Sequence, residues 1–252
     1  MGVIINASYN IVTTNGGTMN NTFDWVYDLD PTIRQELAKG VKYSPMLEAL
    51  SKDGDDKVRL EVARNSGTSQ KVLADLSKDE NWRVQVEVAR NARTAQEILK
   101  DLSKSEDYDI RLAVASNEII NQEILKNLSE DATSCVRRAV AKNTKTAQEI
   151  LKKLSEDADC GVRYEVAANP STAQEILEEL FKERYMQYAI AINPRASQEM
   201  LKELSKDNDY DVRRGVASNP STDIDVLEEL SEDGDLNVKN AAIYNLNHRS
   251  NS

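Results

Sequence analysis

Residues Val136–Gly161 read VRRAVAKNTKTAQEILKKLSEDADCG, and the chain repeats this 26-residue phrase over most of its length. Val136, Val140 and Ala141 stand at i, i+4 and i+5, and Ile150, Leu151 and Leu154 at i, i+1 and i+4. Each half therefore carries an apolar stripe of helical period, and neither alternates as a strand would. Working outward, leucines three apart recur at Leu47/Leu50, Leu73/Leu76, Leu99/Leu102, Leu125/Leu128, Leu151/Leu154, Leu177/Leu180, Leu201/Leu204 and Leu227/Leu230. The step is 26 residues except once, when it is 24. In phase with the leucines runs a second series, Val58, Val84, Ile110, Val136, Val162, Met186, Val212 and Val238, preceded by Ile33. Asparagines follow seven positions later, at Asn65, Asn91, Asn117, Asn143, Asn169, Asn193, Asn219 and Asn245, with Gly40 in that place in the first unit.

A period of this length means stacked supersecondary units, because helices of two or three turns are marginal alone and must bury their faces against neighbours. The expected fold is all-α: a right-handed α-solenoid of about nine two-helix repeats of 26 residues. Residues 31–246 form the repeat domain, 1–30 an N-terminal cap or partly disordered segment, and 247–252 a disordered tail. In the N-terminal segment, Asn15-Gly16-Gly17 separates two apolar stretches, the second containing Phe23, Trp25, Val26 and Tyr27. That pattern suits a loose hairpin or a flap over the first helix.

The polar positions read as structural. Asp55, Asp107, Asp159, Asp209 and Asp235 stand three residues before the apolar series, where a carboxylate caps a helix N-terminus. Four residues later come Arg59, Arg111, Arg163, Arg213 and Lys239, while Asn81 is followed by the neutral Gln85, so the two positions are expected to touch, within a helix or between repeats. Thr94-Ala95-Gln96-Glu97, Thr146-Ala147-Gln148-Glu149 and Thr172-Ala173-Gln174-Glu175 have the form of capping boxes. The recurring asparagine is expected to bond backbone groups at its turn and across to the next repeat, with a negative φ since Pro170, Pro194 and Pro220 follow three of them. Phe181–Tyr185 shortens one connection by two residues, which predicts a kink.

Composition narrows the function classes. A net charge of −11 argues against a broad electrostatic footprint for nucleic acid or an anionic membrane. With nine Tyr, two Trp and two Phe, the core must be chiefly aliphatic. Cys135 and Cys160 are too few for a disulfide framework or a four-ligand zinc site, fall about one layer apart, and suit a cytoplasmic protein. No run approaches the roughly 20 apolar residues of a membrane span. His248 is the lone histidine, and no Gly-rich phosphate loop or Ser/His/Asp set occurs, so no catalytic, cofactor-binding or metal residue is assigned.

The pattern of Val162-Arg163, Val166-Ala167, Asn169-Pro170, Thr172 and Leu177 resembles the leucine-rich repeat variant family, over about residues 31–246, and more distantly HEAT repeats with their Asp and Arg ladder. The resemblance implies an α-solenoid and leaves the activity open, since such stacks serve many purposes. Founding members of that family carry an N-terminal cysteine cluster holding an iron–sulfur centre. The N-terminal segment here has no cysteine, so that cofactor is not carried over.

Because recurring positions build the stack, the variable ones point to a binding face. Positions two, three and six after each apolar starter carry five basic residues (Arg64, Arg90, Arg138, Lys142, Arg214) against three acidic ones (Glu61, Glu87, Glu165), a stripe of +2 in an acidic chain, and collect Tyr164, Tyr188 and Tyr244. Tyrosine and arginine dominate interaction hot spots. Arg138, Lys142, Tyr164, Tyr188, Arg214 and Tyr244 are therefore the candidate contacts for a protein or peptide partner, against the plainer reading that several of these side chains pack between repeats. The second helices offer a repetitive Gln-Glu-x-x-Lys surface that suits solubility, or an acidic groove if they line the concave side. A non-enzymatic scaffold, monomeric or self-associating end to end, is expected ahead of a HEAT-like enzyme (lyase or DNA-repair type) or a self-assembling solenoid.

Overall fold

The computed structural model describes residues 23–249. After a short 3-10 turn at Asp24–Asp28, nine first helices alternate with eight second helices among the described residues. They are α1 (Pro31–Gly40), α2 (Ser44–Leu50), α3 (Asp56–Arg64), α4 (Gln70–Leu76), α5 (Trp82–Arg90), α6 (Gln96–Leu102), α7 (Tyr108–Ala115), α8 (Gln122–Leu128) and α9 (Ser134–Lys142). The stack continues with α10 (Gln148–Leu154), α11 (Cys160–Ala168), α12 (Gln174–Phe181), α13 (Gln187–Ala191), α14 (Gln198–Leu204), α15 (Tyr210–Ser218), α16 (Ile224–Leu230) and α17 (Leu236–Arg249). No strand occurs among the described residues, and the chain is an α-solenoid of helical repeats.

One continuous apolar seam holds it. Every leucine of the recurring pairs is buried, as is the starter series from Val58 to Val238. Ile33 departs from that series: it is half exposed, and among the described residues no earlier repeat lies beside it. First helices pack directly on one another along the stack, whereas each second helix sits between two first helices and scarcely meets its own kind. The more closely spaced row lies on the inner side of any curvature, so the first helices form the inner face and the Gln-Glu-x-x-Lys surface the outer one.

Three polar ladders tie repeat to repeat. The first is the asparagine. Asn169 Nδ2 donates to the carbonyls of Ala141 at 2.6 Å and Asn143 at 3.1 Å, and its Oδ1 accepts from the Ser171 N–H at 2.8 Å. The same bonds recur from Asn91 to Asn219, the asparagines at helix ends have φ near −70°, and the reach is to the preceding repeat, not the next. Gly40 fits this direction, since among the described residues no repeat stands before the one it ends.

The second ladder corrects the expected Asp–Arg pairing. The aspartates do cap the first helices, Asp55 accepting from the Lys57 N–H at 2.8 Å, for example. Arg59, however, turns away from Asp55 to Asp79, twenty residues on, at 2.6 Å, and also donates to the carbonyl of Asp53 at 2.9 Å. Arg34–Asp53, Arg111–Asp131, Arg137–Asp157, Arg163–Glu183 and Arg213–Asp233 repeat the rung. A helix N-cap needs its carboxylate turned to free backbone N–H groups, which leaves the arginine to the next loop's acid.

The third ladder corrects the capping boxes that the sequence suggests. Thr94, Thr146 and Thr172 are buried, and their hydroxyls donate backwards to the carbonyls of Val88, Val140 and Val166, each at 2.6 Å. Ala95, Ala147 and Ala173 hold the cap positions instead, and their backbone N–H groups are satisfied from the repeat before. Gln148 Oε1 accepts from the Ala173 N–H at 2.8 Å while its Nε2 donates to the carbonyl of Ser171 at 2.5 Å. Gln70, Gln96, Gln122 and Gln198 do the same, so the glutamine of the outer surface is a staple, not a solubility residue.

At the N-terminal end, Val26 is buried, Phe23 meets Tyr43 edge-on at 5.9 Å, and the Tyr27 hydroxyl donates to the carbonyl of Ala49 at 2.7 Å. Residues 23–29 thus lie on the first repeat as a helical turn, not as a hairpin strand. Asn15-Gly16-Gly17 and the rest of 1–22 lie outside the described residues. At the other end α17 runs through Arg249, so residues 247–249 are helix where a tail was expected, with the Arg249 guanidinium donating to the Asn245 side chain and the carbonyl of Thr222.

Candidate interaction face

The six residues singled out from the sequence all lie on first helices, hence on the inner face, but they do not form one site. Arg138 and Lys142 on α9 come together in an open groove of about 580 Å³. It is lined by Arg90, Arg138 and Lys142, by Glu118 and Glu165, and by Leu112, Ala113 and Ala139. Arg138 is half exposed, 3.6 Å from Glu165 Oε1, and lies over Gly161, where an added Cβ would come within 3.1 Å of its Nε. Glycine at 161 therefore lets the guanidinium lie flat across the next repeat.

Tyr164 and Tyr188, in the next two repeats, are half-buried and packed against the core. Burial raises the Tyr164 phenol above its ordinary value, with the neighbouring Tyr188 and Glu165 adding to it. Gly215 is the counterpart of Gly161: an added Cβ there would stand 3.0 Å from Ala191 Cβ and 3.6 Å from Tyr188 Cε2. These two tyrosines fill space between repeats and expose only part of their rings. Arg214 is half exposed and turned to Asp211 at 2.7 Å, and Tyr244 is exposed and stacks on His248 at 3.9 Å between ring centres.

A different row was missed. The first residue of several first helices is an exposed apolar side chain: Trp82, Tyr108, Tyr210 and Leu236, joined by Tyr185 in the shortened connection. The signal is in the sequence, since Trp82, Tyr108, Tyr210 and Leu236 stand two places before the starter series and Tyr185 one place before it, but those positions lie outside the variable positions two, three and six after each starter.

Every carboxylate with a clearly displaced pKa is held low, that is, ionised. Arg137 holds Asp157 down and Arg213 holds Asp233 down, while at Asp131 burial pushes upward but the bonds from Arg111 and the Thr133 N–H together prevail. General acid chemistry at neutral pH needs the opposite displacement. Among the described residues no three His, Cys, Asp or Glu side chains group as a metal site, and no helix is long and apolar enough to cross a membrane. Cys135 and Cys160 are both free thiols at the surface.

The repeat spanning residues 210–235 matches the model of the leucine rich repeat variant. A solved structure described as a leucine-rich repeat variant with a novel repetitive protein structural motif superposes with a TM-score of 0.51 at 24% identity, over 84% of this chain and 81% of that one. The fold is that of a leucine-rich repeat variant. Two engineered proteins align more loosely, one with a TM-score of 0.31 at 19% identity over 86% and 72% of the two chains, the other with 0.25 at 20% over 80% and 94%. No curated protein matches in sequence.

Proposed function

We propose that this chain is a non-enzymatic, cytoplasmic scaffold that binds a protein partner along the inner face of the stack, taking an acidic segment of that partner into the groove between Arg90, Arg138 and Lys142. The observation that carries this reading is the groove itself: three basic side chains from two first helices, against two acidic ones (Glu118 and Glu165), line one open concavity in a molecule whose net charge is −11. A positive patch on an acidic protein orients an approaching acidic segment and repels little else of that partner. Tyr164 and Tyr188 extend the face in the direction of the C-terminus as rigid, partly desolvated contacts, with Arg214 and Tyr244 as more distant and weaker ones. Two surface thiols with no disulfide are compatible with a reducing compartment.

The test is photo-crosslinking from position 116, on the groove wall, in native lysate. Capture by the native chain of partners whose crosslinked segments are acidic, abolished by Arg138→Glu together with Lys142→Glu while the melting temperature holds, supports the proposal. Capture unchanged by the double substitution ends it.

A further inference from the structure

The Arg–acid ladder has one rung that is mismatched in charge. Gln187 stands where Arg59, Arg111, Arg137, Arg163 and Arg213 stand in other repeats, and twenty residues on, at the same spacing, Asp207 keeps its carboxylate. The other interruption is matched: Gln85 faces the neutral Ser105 at that spacing. Gln187 Nε2 donates to the Glu183 carbonyl of its own loop at 3.1 Å, the bond an arginine Nη1 makes elsewhere. Its Oε1 is the one buried side-chain polar atom without a partner among the described residues. Asp207 accepts from the Asp209 N–H at 2.8 Å through Oδ1, and no arginine reaches its other oxygen. Turning the amide over does not help, since Oε1 would then face the Glu183 carbonyl. In either orientation an acceptor is left without a donor from the described residues, and a donor from outside the chain would satisfy it.

The surroundings define the donor. In six other rungs the acid takes a guanidinium edge at 2.6–3.1 Å, and the Asp207 turn is built like theirs, with Asp207 Oδ1 accepting from the Asp209 N–H as Asp157 Oδ1 does from the Asp159 N–H. Tyr185 is 80% exposed and Tyr210 46%, and they stand within three residues of Gln187 and Asp207 respectively, on the open edge of the stack. Aromatic faces beside a carboxylate favour a flat cation over an ammonium ion.

We propose that the Gln187–Asp207 rung is a receptor for the guanidinium of an arginine side chain carried by a partner protein, which completes in trans the rung that the chain completes in cis elsewhere. This site lies on the loop edge and does not depend on the groove at Arg138 and Lys142.

The experiment titrates the full chain, labelled with 15N and 13C, with the peptide acetyl-Gly-Arg-Gly-amide and with its citrulline counterpart, which keeps the shape and removes the charge. The expected result is saturable shifts at the Gln187 side-chain amide and the Asp207 carboxyl, with the arginine peptide binding at least tenfold more tightly than citrulline. Gln187→Arg should raise the melting temperature by restoring the rung and lower arginine binding at least tenfold, and Asp207→Asn should lower binding equally. Equal binding of arginine and citrulline peptides, or arginine binding that survives in Gln187→Arg, overturns the proposal. The Arg138→Glu/Lys142→Glu chain should bind the peptide unchanged, which separates failure here from failure of the groove.

Discussion

The stretch from α9 to α12 and the stretch from α12 to α14 are built from the same repeat, yet they are held together differently. In the first, all three ladders are intact: Asn169 reaches back, Arg137 pairs with Asp157, and Gln148 staples the loop before α12. In the second, two residues are missing from the connection. Gln174 bonds Glu178 of its own helix at 3.2 Å instead of the next loop, α13 shrinks to five residues without a side-chain cap, and the arginine of the rung has become Gln187. Asn193 is untouched, donating to the carbonyls of Ala167 at 2.6 Å and Asn169 at 2.9 Å. Arg163 also adapts, since Glu183 replaces aspartate and its longer side chain still brings a carboxylate oxygen to 2.9 Å. The asparagine ladder runs through the buried turn at the end of the first helices, so a change in the opposite loop does not reach it. The loop-side ladders are the ones a shortened loop can lose.

That ordering makes the asparagines the most sensitive positions. Asn193→Ala should destabilise by about 3 kcal/mol, because two backbone carbonyls lose their donor and the Arg195 N–H its acceptor in a fully buried place. Urea unfolding followed by circular dichroism measures it. Asn193→Asp should be at least as damaging, since a carboxylate cannot donate to those carbonyls. A loss under about 1 kcal/mol in both would mean that the apolar seam, not the asparagine, carries the stack across the shortened loop.

The ion-pair rungs come next. Arg137 and Asp157 have side chains only 17% and 10% exposed, so Arg137→Ala should cost about 2 kcal/mol, between the values for exposed and for buried pairs. Their pH dependence has a definite sign. Asp157 and Asp233 are held below the ordinary carboxylate value by Arg137 and Arg213 in the folded chain. Their stabilisation is therefore complete above the unfolded pKa of about 3.9 and is lost as pH falls through the lower folded value. Melting temperature should be flat from pH 8 to 5 as far as these rungs are concerned and fall below about pH 4. Asp157→Asn with Asp233→Asn should lower it at neutral pH and flatten the acid limb.

How much of this was legible in the sequence depends on how far apart the partners lie. Leu151, Leu154 and Val136 could be placed in a shared core because helical period alone sets which face they occupy. Asn169 could be given its amide bonds because Pro170 forbids the alternative left-handed cap. Arg163 could be recognised as half of a ladder, within a helix or between repeats, but the partner expected was Asp159, four residues back, when the acid twenty residues on, Glu183, is the one that stacking brings close. Thr172 was misread for a related reason: a threonine three places before a glutamate fits a capping box, and only the burial of its side chain shows that the hydroxyl turns back to Val166. The interaction face was legible as a row and not as a site. Sequence spacing put six residues on one side of the stack, but which of them share a concavity depends on side-chain lean, which Gly161 and Gly215 permit.

The threonine provides a smaller and sharper test of that misreading. Thr172→Val keeps the shape of the side chain and removes only the hydroxyl, so it should cost about 1 kcal/mol from the lost bond to a buried carbonyl. A capping threonine would respond differently: Thr172→Ser would be neutral there, whereas in the buried turn serine also loses a packed methyl group and should be worse than valine or equal to it.

The least effect is expected at the glutamine staples, where the two stretches differ most visibly. Gln148 is exposed and bonds the next loop twice, so Gln148→Ala should cost about 0.5–1 kcal/mol in the regular stretch, water replacing much of what is lost. Gln174→Ala should cost nothing measurable, because that side chain already bonds its own helix. Hydrogen exchange separates the two even where global stability does not: the Ala173 amide, which Gln148 protects, should exchange faster in Gln148→Ala, while the Ser197 amide at the corresponding place after the short loop should be unchanged in Gln174→Ala. If both substitutions act alike, the shortened connection has not uncoupled the outer surface, and the break in the loop-side ladders would be confined to the single rung at Gln187.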